Sequence, residues 1–373
     1  MILTTCAACA KPIEHDASSR CVACETRYCS DRCLRYHAHR GGHDDECEDI
    51  SNGGGAEQYH ADKKHEDAVA TAVEACAEDT KDQTCYICME GAVEEGLVRM
   101  CACRGAAGFA HVSCLAKQAK ISWAEAEENL NINNFEERWR RWEECRLCEQ
   151  KHHGVVACAL GWACWKTYVG RPETDEVRVD AMTILGNGLS EAEHYEDAVA
   201  VYEAELAAEE RLGEPESDTL ITRGNLAICY YNLGQLDEAL SMQREVYAGR
   251  QSMSDGFRRT GNQDIAVCNL AEYLVAAREF EEAQSLAREE LPVIIDRHGP
   301  DDPLTLEIRT WYALAFFRAD GASEDDVAEA LTILEDVLRR SKRVLGDSHP
   351  DTERARKFLE EVRSARAGAA EES

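Results

Sequence analysis

CYICMEGAVEEGLVRMCACRGAAGFAHVSC (Cys85–Cys114), joined after thirty residues by CRLC (Cys145–Cys148), decides how this chain is read. The metal-capable side chains in it are Cys85, Cys88, Cys101, Cys103, His111, Cys114, Cys145 and Cys148: four cysteines, one histidine, three cysteines. Zinc takes four thiolate or imidazole ligands in a tetrahedron, and a turn such as Cys-x-x-Cys presents two at once. Eight donors in four pairs therefore predict two closed structural zinc sites.

The spacing of this stretch resembles the RING-CH (RING-variant) finger of ubiquitin ligases, above all in the single residue between Cys101 and Cys103 and the seven before His111. The ligand order also matches a PHD finger, which typically has two residues between its third and fourth cysteines and would imply histone-tail binding. The RING-CH resemblance implies cross-bracing, with Cys85, Cys88, His111 and Cys114 on one zinc and Cys101, Cys103, Cys145 and Cys148 on the other. It implies a helix from near Cys114, and a neutral His111 that ligates through one ring nitrogen while the other is hydrogen-bonded. It further implies a partner, a ubiquitin-charged conjugating enzyme, whose thioester is held in a reactive geometry; the gain is positional, so no catalytic nucleophile is expected. Ile87 would be an apolar contact for that enzyme. The position after the last ligand, commonly basic or amide in the family, holds Glu149, which when ionised can only accept hydrogen bonds. The family's tryptophan four residues after the sixth ligand is replaced by Gln118, with Trp123, Trp139 or Trp142 as substitutes. The long gap before Cys145 reads as a helix, an Asn-rich break (Asn129–Asn134) and a second helix, Phe135–Glu144.

Upstream, Cys6, Cys9, Cys21, Cys24, Cys29, Cys33, His43 and Cys47 make a second set of eight donors within the first fifty residues. A segment so short buries little core, and bound metal supplies the missing folding free energy. The pattern, with RYCSDRC at Arg27–Cys33, resembles the MYND-type zinc finger. That resemblance implies interleaved sites, Cys6, Cys9, Cys29 and Cys33 on one zinc and Cys21, Cys24, His43 and Cys47 on the other. Zinc is thus the expected cofactor, four ions, two per finger. The gap from Cys33 to His43 is two residues longer than usual, so His39 or His37 competes for the seventh position. MYND fingers bind short proline-containing peptides; the family's glutamine and tryptophan at that surface are Leu34 and Arg40 here.

Fourteen of the 19 cysteines fall into metal-ligand spacings, leaving Cys76, Cys158, Cys164, Cys229 and Cys268 as small apolar residues. With no basic region and apolar run at the N-terminus, a secretory leader is not expected, and a reducing compartment, cytoplasm or nucleus, fits the thiols. A net charge of −31 argues against binding a nucleic-acid backbone. The most apolar run, Gly154–Gly170, is too short to span a membrane and carries Lys166. Trp162, Trp165 and Tyr168 predict one buried face on a helix there. Ser51–Gly55 reads as a flexible break and Ala56–Glu78 as a helix, with His60 and His65 solvated among charged neighbours.

Beyond residue 171 the chain repeats itself. Gly186, Ala227, Ala271 and Ala313 recur at intervals of 41, 44 and 42, followed by Ala198, Ala239, Ala283 and, after an insertion around Gly321, Ala330. Thr219, Thr305 and Thr352 form a third marker. Each unit reads as two amphipathic helices that cross at small residues, most plainly in NLAICYYNLGQLDEALSMQREVY (Asn225–Tyr247). This is similar to the tetratricopeptide repeat, in the longer kinesin-light-chain variety, with four repeats and a capping helix, Pro350–Arg366. The resemblance implies a concave protein-binding face on which Asn225 and Asn269 contact peptide.

The expected fold is mainly α: two small cross-braced zinc fingers followed by an α-α tetratricopeptide solenoid. The expected segments are a MYND-type finger at 1–50, a Gly-rich linker and helix at 51–84, a RING-CH-type finger at 85–153, a helical array at 154–366 and a disordered tail at 367–373. The function this suggests is a soluble RING-CH ubiquitin ligase that recruits substrate through its repeats; the alternative is a non-catalytic adaptor. There is no room between the modules for a methyltransferase SET domain.

Overall fold

The computed structural model describes residues 6–9, 11, 13, 19–92, 95–129, 135–253, 261–347 and 349–372. The fold is mainly α, with two cysteine-rich compartments followed by paired helices of tetratricopeptide type. The chain divides into two compact units, Met1–Glu214 and Pro215–Ser373.

In the first unit, strands β1 (Ser19–Arg20) and β2 (Arg27–Tyr28) pair antiparallel around the Cys21–Cys24 turn, followed by α1 (Asp31–Arg40) and α2 (His43–Asn52). The Ser30 side chain caps α1 by accepting from Cys33 N. Three residues separate α2 from helix α3 (Ala56–Cys76), so part of the expected break, Ser51 and Asn52, belongs to α2. The second cysteine-rich compartment follows, with α4 (Val112–Asn129), α5 (Phe135–Trp139) and a 3-10 turn at Arg140–Trp142. The expected helix Phe135–Glu144 is therefore broken in two, and most of the Asn-rich break, residues 130–134, lies outside the described residues.

Helix α6 (Gly154–Tyr168) is buried on nearly all sides, more than the single face the aromatic spacing predicts. The cause is its neighbours: α3, α4 and α7 (Glu176–Glu191) all pack on it. Glycines permit the closest crossing. A Cβ on Gly188 would lie 2.5 Å from the Ala157 carbonyl oxygen, and one on Gly161 3.0 Å from that of Ile184. Gly186 instead faces the Tyr202 ring of α8 (Tyr195–Leu212), 2.4 Å from an added Cβ. Thus α6 and the first helical repeat share a compact unit with both fingers. His65, expected to be solvated, is half-buried against α6 with Nδ1 3.4 Å from Lys166 Nζ. Burial and the Lys166 charge push its pKa down to about 4.

The second unit is built from α9 (Glu216–Asn232), α10 (Leu236–Ser252), α11 (Gly261–Ala276), α12 (Phe280–His298), α13 (Pro303–Phe317), α14 (Glu324–Val344) and α15 (Pro350–Glu372). Helix α15 continues through Glu372, so residues 367–372, expected as a disordered tail, are helical. The small markers Ala227, Ala239, Ala271, Ala283, Ala313 and Ala330 are all buried where paired helices meet. The threonine markers Thr219, Thr305 and Thr352 are buried in the first turns of α9, α13 and α15. Thr305 donates to the Gly299 carbonyl at 2.8 Å, and Asp302 caps α13 ahead of Pro303. Cys229 and Cys268 lie buried, as small core residues.

Candidate metal centres

The structure gathers the sixteen sequence-predicted donors into four quartets, the donor atoms of each within 4.8 Å of one another. They are Cys6, Cys9, Cys29 and Cys33; Cys21, Cys24, His43 and Cys47; Cys85, Cys88, His111 and Cys114; and Cys101, Cys103, Cys145 and Cys148. Each compartment thus has one four-cysteine quartet and one of three cysteines with a histidine, and the pairs alternate along the chain.

Four local turns do the positioning. In the pairs Cys21–Cys24, Cys85–Cys88 and Cys145–Cys148, the amide of the residue after the second cysteine donates back to the first cysteine's carbonyl at 2.8–3.0 Å. The first cysteine's amide in turn donates to a carbonyl five residues on, at 2.8–2.9 Å. Closing this loop puts Glu25, Met89 and Glu149 at φ 60°, 64° and 55°, in the left-handed region. Cys6 makes the same long bond, to the Lys11 carbonyl. Further along, Gly108 has φ +86°, and a Cβ there would lie 2.6 Å from that of Cys103.

Sulfur–sulfur separations are 3.6 Å for Cys9–Cys29, 3.5 Å for Cys29–Cys33, 3.6 Å for Cys21–Cys47 and 3.7 Å for Cys103–Cys145. A disulfide would be about 2.05 Å, whereas a tetrahedron with zinc–sulfur bonds of about 2.3 Å has an edge of roughly 3.8 Å. The histidines fit equally: His43 Nε2 lies 3.6 Å from Cys24 Sγ, and His111 Nδ1 lies 3.4 Å and 3.7 Å from Cys88 and Cys114. The donor set and its dimensions suit zinc. His111 has its other nitrogen 3.2 Å from the Gly91 carbonyl, which orients the ring. Of the competing histidines, His43 takes the quartet position. His37 Nδ1 instead meets the Tyr28 hydroxyl at 2.9 Å, and His39 is exposed.

The second compartment has no isolated core. Cys85, Leu97, Val98, Phe109, Val112 and Leu115 share one apolar cluster with Ala72 and Cys76 of α3 and Val156, Ala159 and Leu160 of α6. The long gap before Cys145 is filled by rings. Trp123 packs on Trp139 at 4.8 Å, and Tyr168 meets Trp139 at 5.5 Å and Trp142 at 5.8 Å. All three candidate tryptophans thus belong to one ring cluster, while Gln118 is half-buried. Ile87 is half-buried and packs against the same core, and Glu149 is exposed. Sequence reasoning passed over Met89 and Leu147, large apolar side chains left 74% and 50% exposed on the two turns. Only their exposure distinguishes them, and no spacing signals it. Asn225 and Asn269 lie half-buried on α9 and α11.

Residues 85–148 match the RING-variant domain, and residues 179–252 and 323–351 match tetratricopeptide repeats. No curated protein matches the chain. Among solved structures, two of the Podosopora anserina putative kinesin light chain nearly identical TPR-like repeats, one a point variant, are similar at 16% identity. The variant covers 64% of this chain and 99% of its own, TM-score 0.42; the other covers 62% and 97%, TM-score 0.41. BtubC (BKLC) from P. vanneervenii is similar at 12% identity over 69% of this chain and 91% of its own, TM-score 0.35. The class so defined is a zinc-finger protein with a RING-variant domain and tetratricopeptide repeats, the latter implying protein–protein interaction. Among the described residues no helix is long and apolar enough to cross a membrane.

Proposed function

We propose that the chain is a RING-CH-type ubiquitin-protein ligase that acts by positioning and recruits substrate through its repeats. The observation that carries this is the complete cross-brace of eight donors inside the stretch that matches the RING-variant domain. Zinc supplies structure here, four ions in all, two in each compartment, held by the four quartets. The conjugating enzyme would sit on the paired turns, against Ile87, Met89 and Leu147. The first compartment is a MYND-type finger that adds a peptide contact, and Asn225 and Asn269 contact peptide on the repeats. Thiols committed to metal ligation favour a reducing compartment, the cytoplasm or nucleus.

A second reading, a non-catalytic adaptor with both fingers as zinc-stapled scaffolds, is favoured by Glu149 alone. This exposed acid stands where a hydrogen-bond donor to ubiquitin belongs. Self-ubiquitination with a panel of conjugating enzymes separates the two. Wild type is expected to form conjugates, Cys85→Ala to form none, and Glu149→Arg to form them faster. Absence of product in every wild-type reaction would sink the ligase reading and leave the adaptor.

A further inference from the structure

The first helices of the second unit, α9, α11, α13 and α15, run side by side. Counting six residues back from the buried markers Ala227, Ala271 and Ala313 gives Ile221, Ile265 and Glu307, and the same row continues to Arg354, two after Thr352. The markers are fully buried, yet Ile221 and Ile265 are 37% and 44% exposed. Two large aliphatic side chains are thus held in water at equivalent places on adjacent helices. Asn225 and Asn269 lie one turn further along the same two helices.

Towards α15 the row reaches Glu307 and Arg354, and Glu272 and Asp351 stand beside them. Burial raises the Glu307 carboxyl above its ordinary range; Arg354 opposes the shift, and Glu272 and Asp351 add to it. Burial likewise raises Glu272, against Arg354 and the Tyr231 hydroxyl. Arg354 Nη2 lies 2.7 Å from Asp351 and 3.5 Å from Glu307. Arg354 thus contacts two of these carboxylates and acts on half-buried Glu272 only through space, so a further cation would relieve the electrostatic cost.

The geometry points to an extended basic segment of a partner protein as the occupant of this face, its aliphatic residue on Ile221 and Ile265 and its lysine or arginine between Glu272 and Glu307. This rests on the reading of the repeats as a peptide-binding surface and adds the sign of the ligand. In an extended chain alternate side chains point the same way, so one segment can serve both ends of the row.

The test is fluorescence anisotropy on the full, zinc-loaded chain. The probe is a capped nine-residue peptide that repeats lysine, isoleucine and serine, with glutamate and glutamine versions in place of lysine. The lysine probe is expected to bind, to weaken with salt, and to lose about tenfold or more in affinity with Glu272→Gln/Glu307→Gln. It should be unaffected by the charge-matched Glu289→Gln/Glu329→Gln on α12 and α14. If the glutamate or glutamine probe binds as tightly, and Ile221→Ser/Ile265→Ser abolishes it, the face takes peptide and the basic preference is overturned. If no probe binds, or both glutamate pairs weaken binding equally, the docking face itself is overturned.

Discussion

Glu149 is held in a left-handed conformation, φ 55°, by the same kind of turn that bends Glu25 and Met89 in their own pairs. A side chain there costs roughly 1–2 kcal/mol, and glycine escapes it. Glu149→Gly should therefore stabilise the zinc-loaded protein by about 1 kcal/mol in chemical denaturation; a loss would mean that the carboxylate makes a bond outweighing the strain. Donor identity was legible, because thiols paired at metal spacing have few other uses. The strain after each pair was not, since glutamate and methionine carry no turn signal. The choice of His43 over His37 or His39 needed the length of α1. A second residue-scale expectation concerns His152, 4% exposed and pushed down to about 4 by burial. Its ordinary value is near 6.5. The folded state thus prefers the neutral ring, and its contribution is complete above pH 6.5 and lost as pH falls towards 4. The sum is about 3 kcal/mol. As pH falls through that window, the denaturation midpoint of wild type should drop relative to that of His152→Leu, both zinc-loaded; parallel curves would show that His152 is not the titrating group.

At the scale of elements, the fold turns on how closely helices cross. Gly188 of α7 meets the Ala157 carbonyl of α6, backbone that cannot swing aside as a side chain could. Gly188→Ala should cost roughly 1–3 kcal/mol. Gly224, inside α9 with open space around its Cβ position, is the converse. Gly224→Ala should gain about 0.5–1 kcal/mol through helix propensity alone. Thermal melts of the two variants test the pair, and equal shifts would show that the α6–α7 contact is looser than the 2.5 Å approach at Gly188 implies. The repeat helices were legible because self-similarity at about forty residues fixes both helices of a unit at once. Helix α6 was legible as an element but not in its surroundings. Aromatic spacing marks an apolar face, while the burial of Cys158, Ala159 and Cys164 on other sides follows from three neighbours distant in sequence. The ring cluster of Trp123, Trp139, Trp142 and Tyr168 was hidden for the same reason.

At the scale of the whole molecule, metal sites and helices share one unit, and among the described residues the other is built of helices alone. The core of the second finger runs without a break into α3 and α6, and all four donor quartets lie within Met1–Glu214. Withdrawing zinc leaves clustered thiolates without a cation and removes the folding free energy that ligation supplies. The loss should spread from the finger to α6 and its tryptophans. Five of the six tryptophans, Trp123, Trp139, Trp142, Trp162 and Trp165, belong to this unit; Trp311 belongs to the other. The second unit has no such quartet among its described residues, and alanine-lined helix crossings form its core. A strong chelator should therefore shift tryptophan emission to the red while far-UV circular dichroism keeps the helical signal of α9–α15. Trp311→Phe removes the second unit's emission, so the shift can be assigned. If both signals collapse together at one chelator concentration, the repeats depend on the fingers for their folding and the two units form one cooperative system. If neither moves, the quartets do not hold the fold.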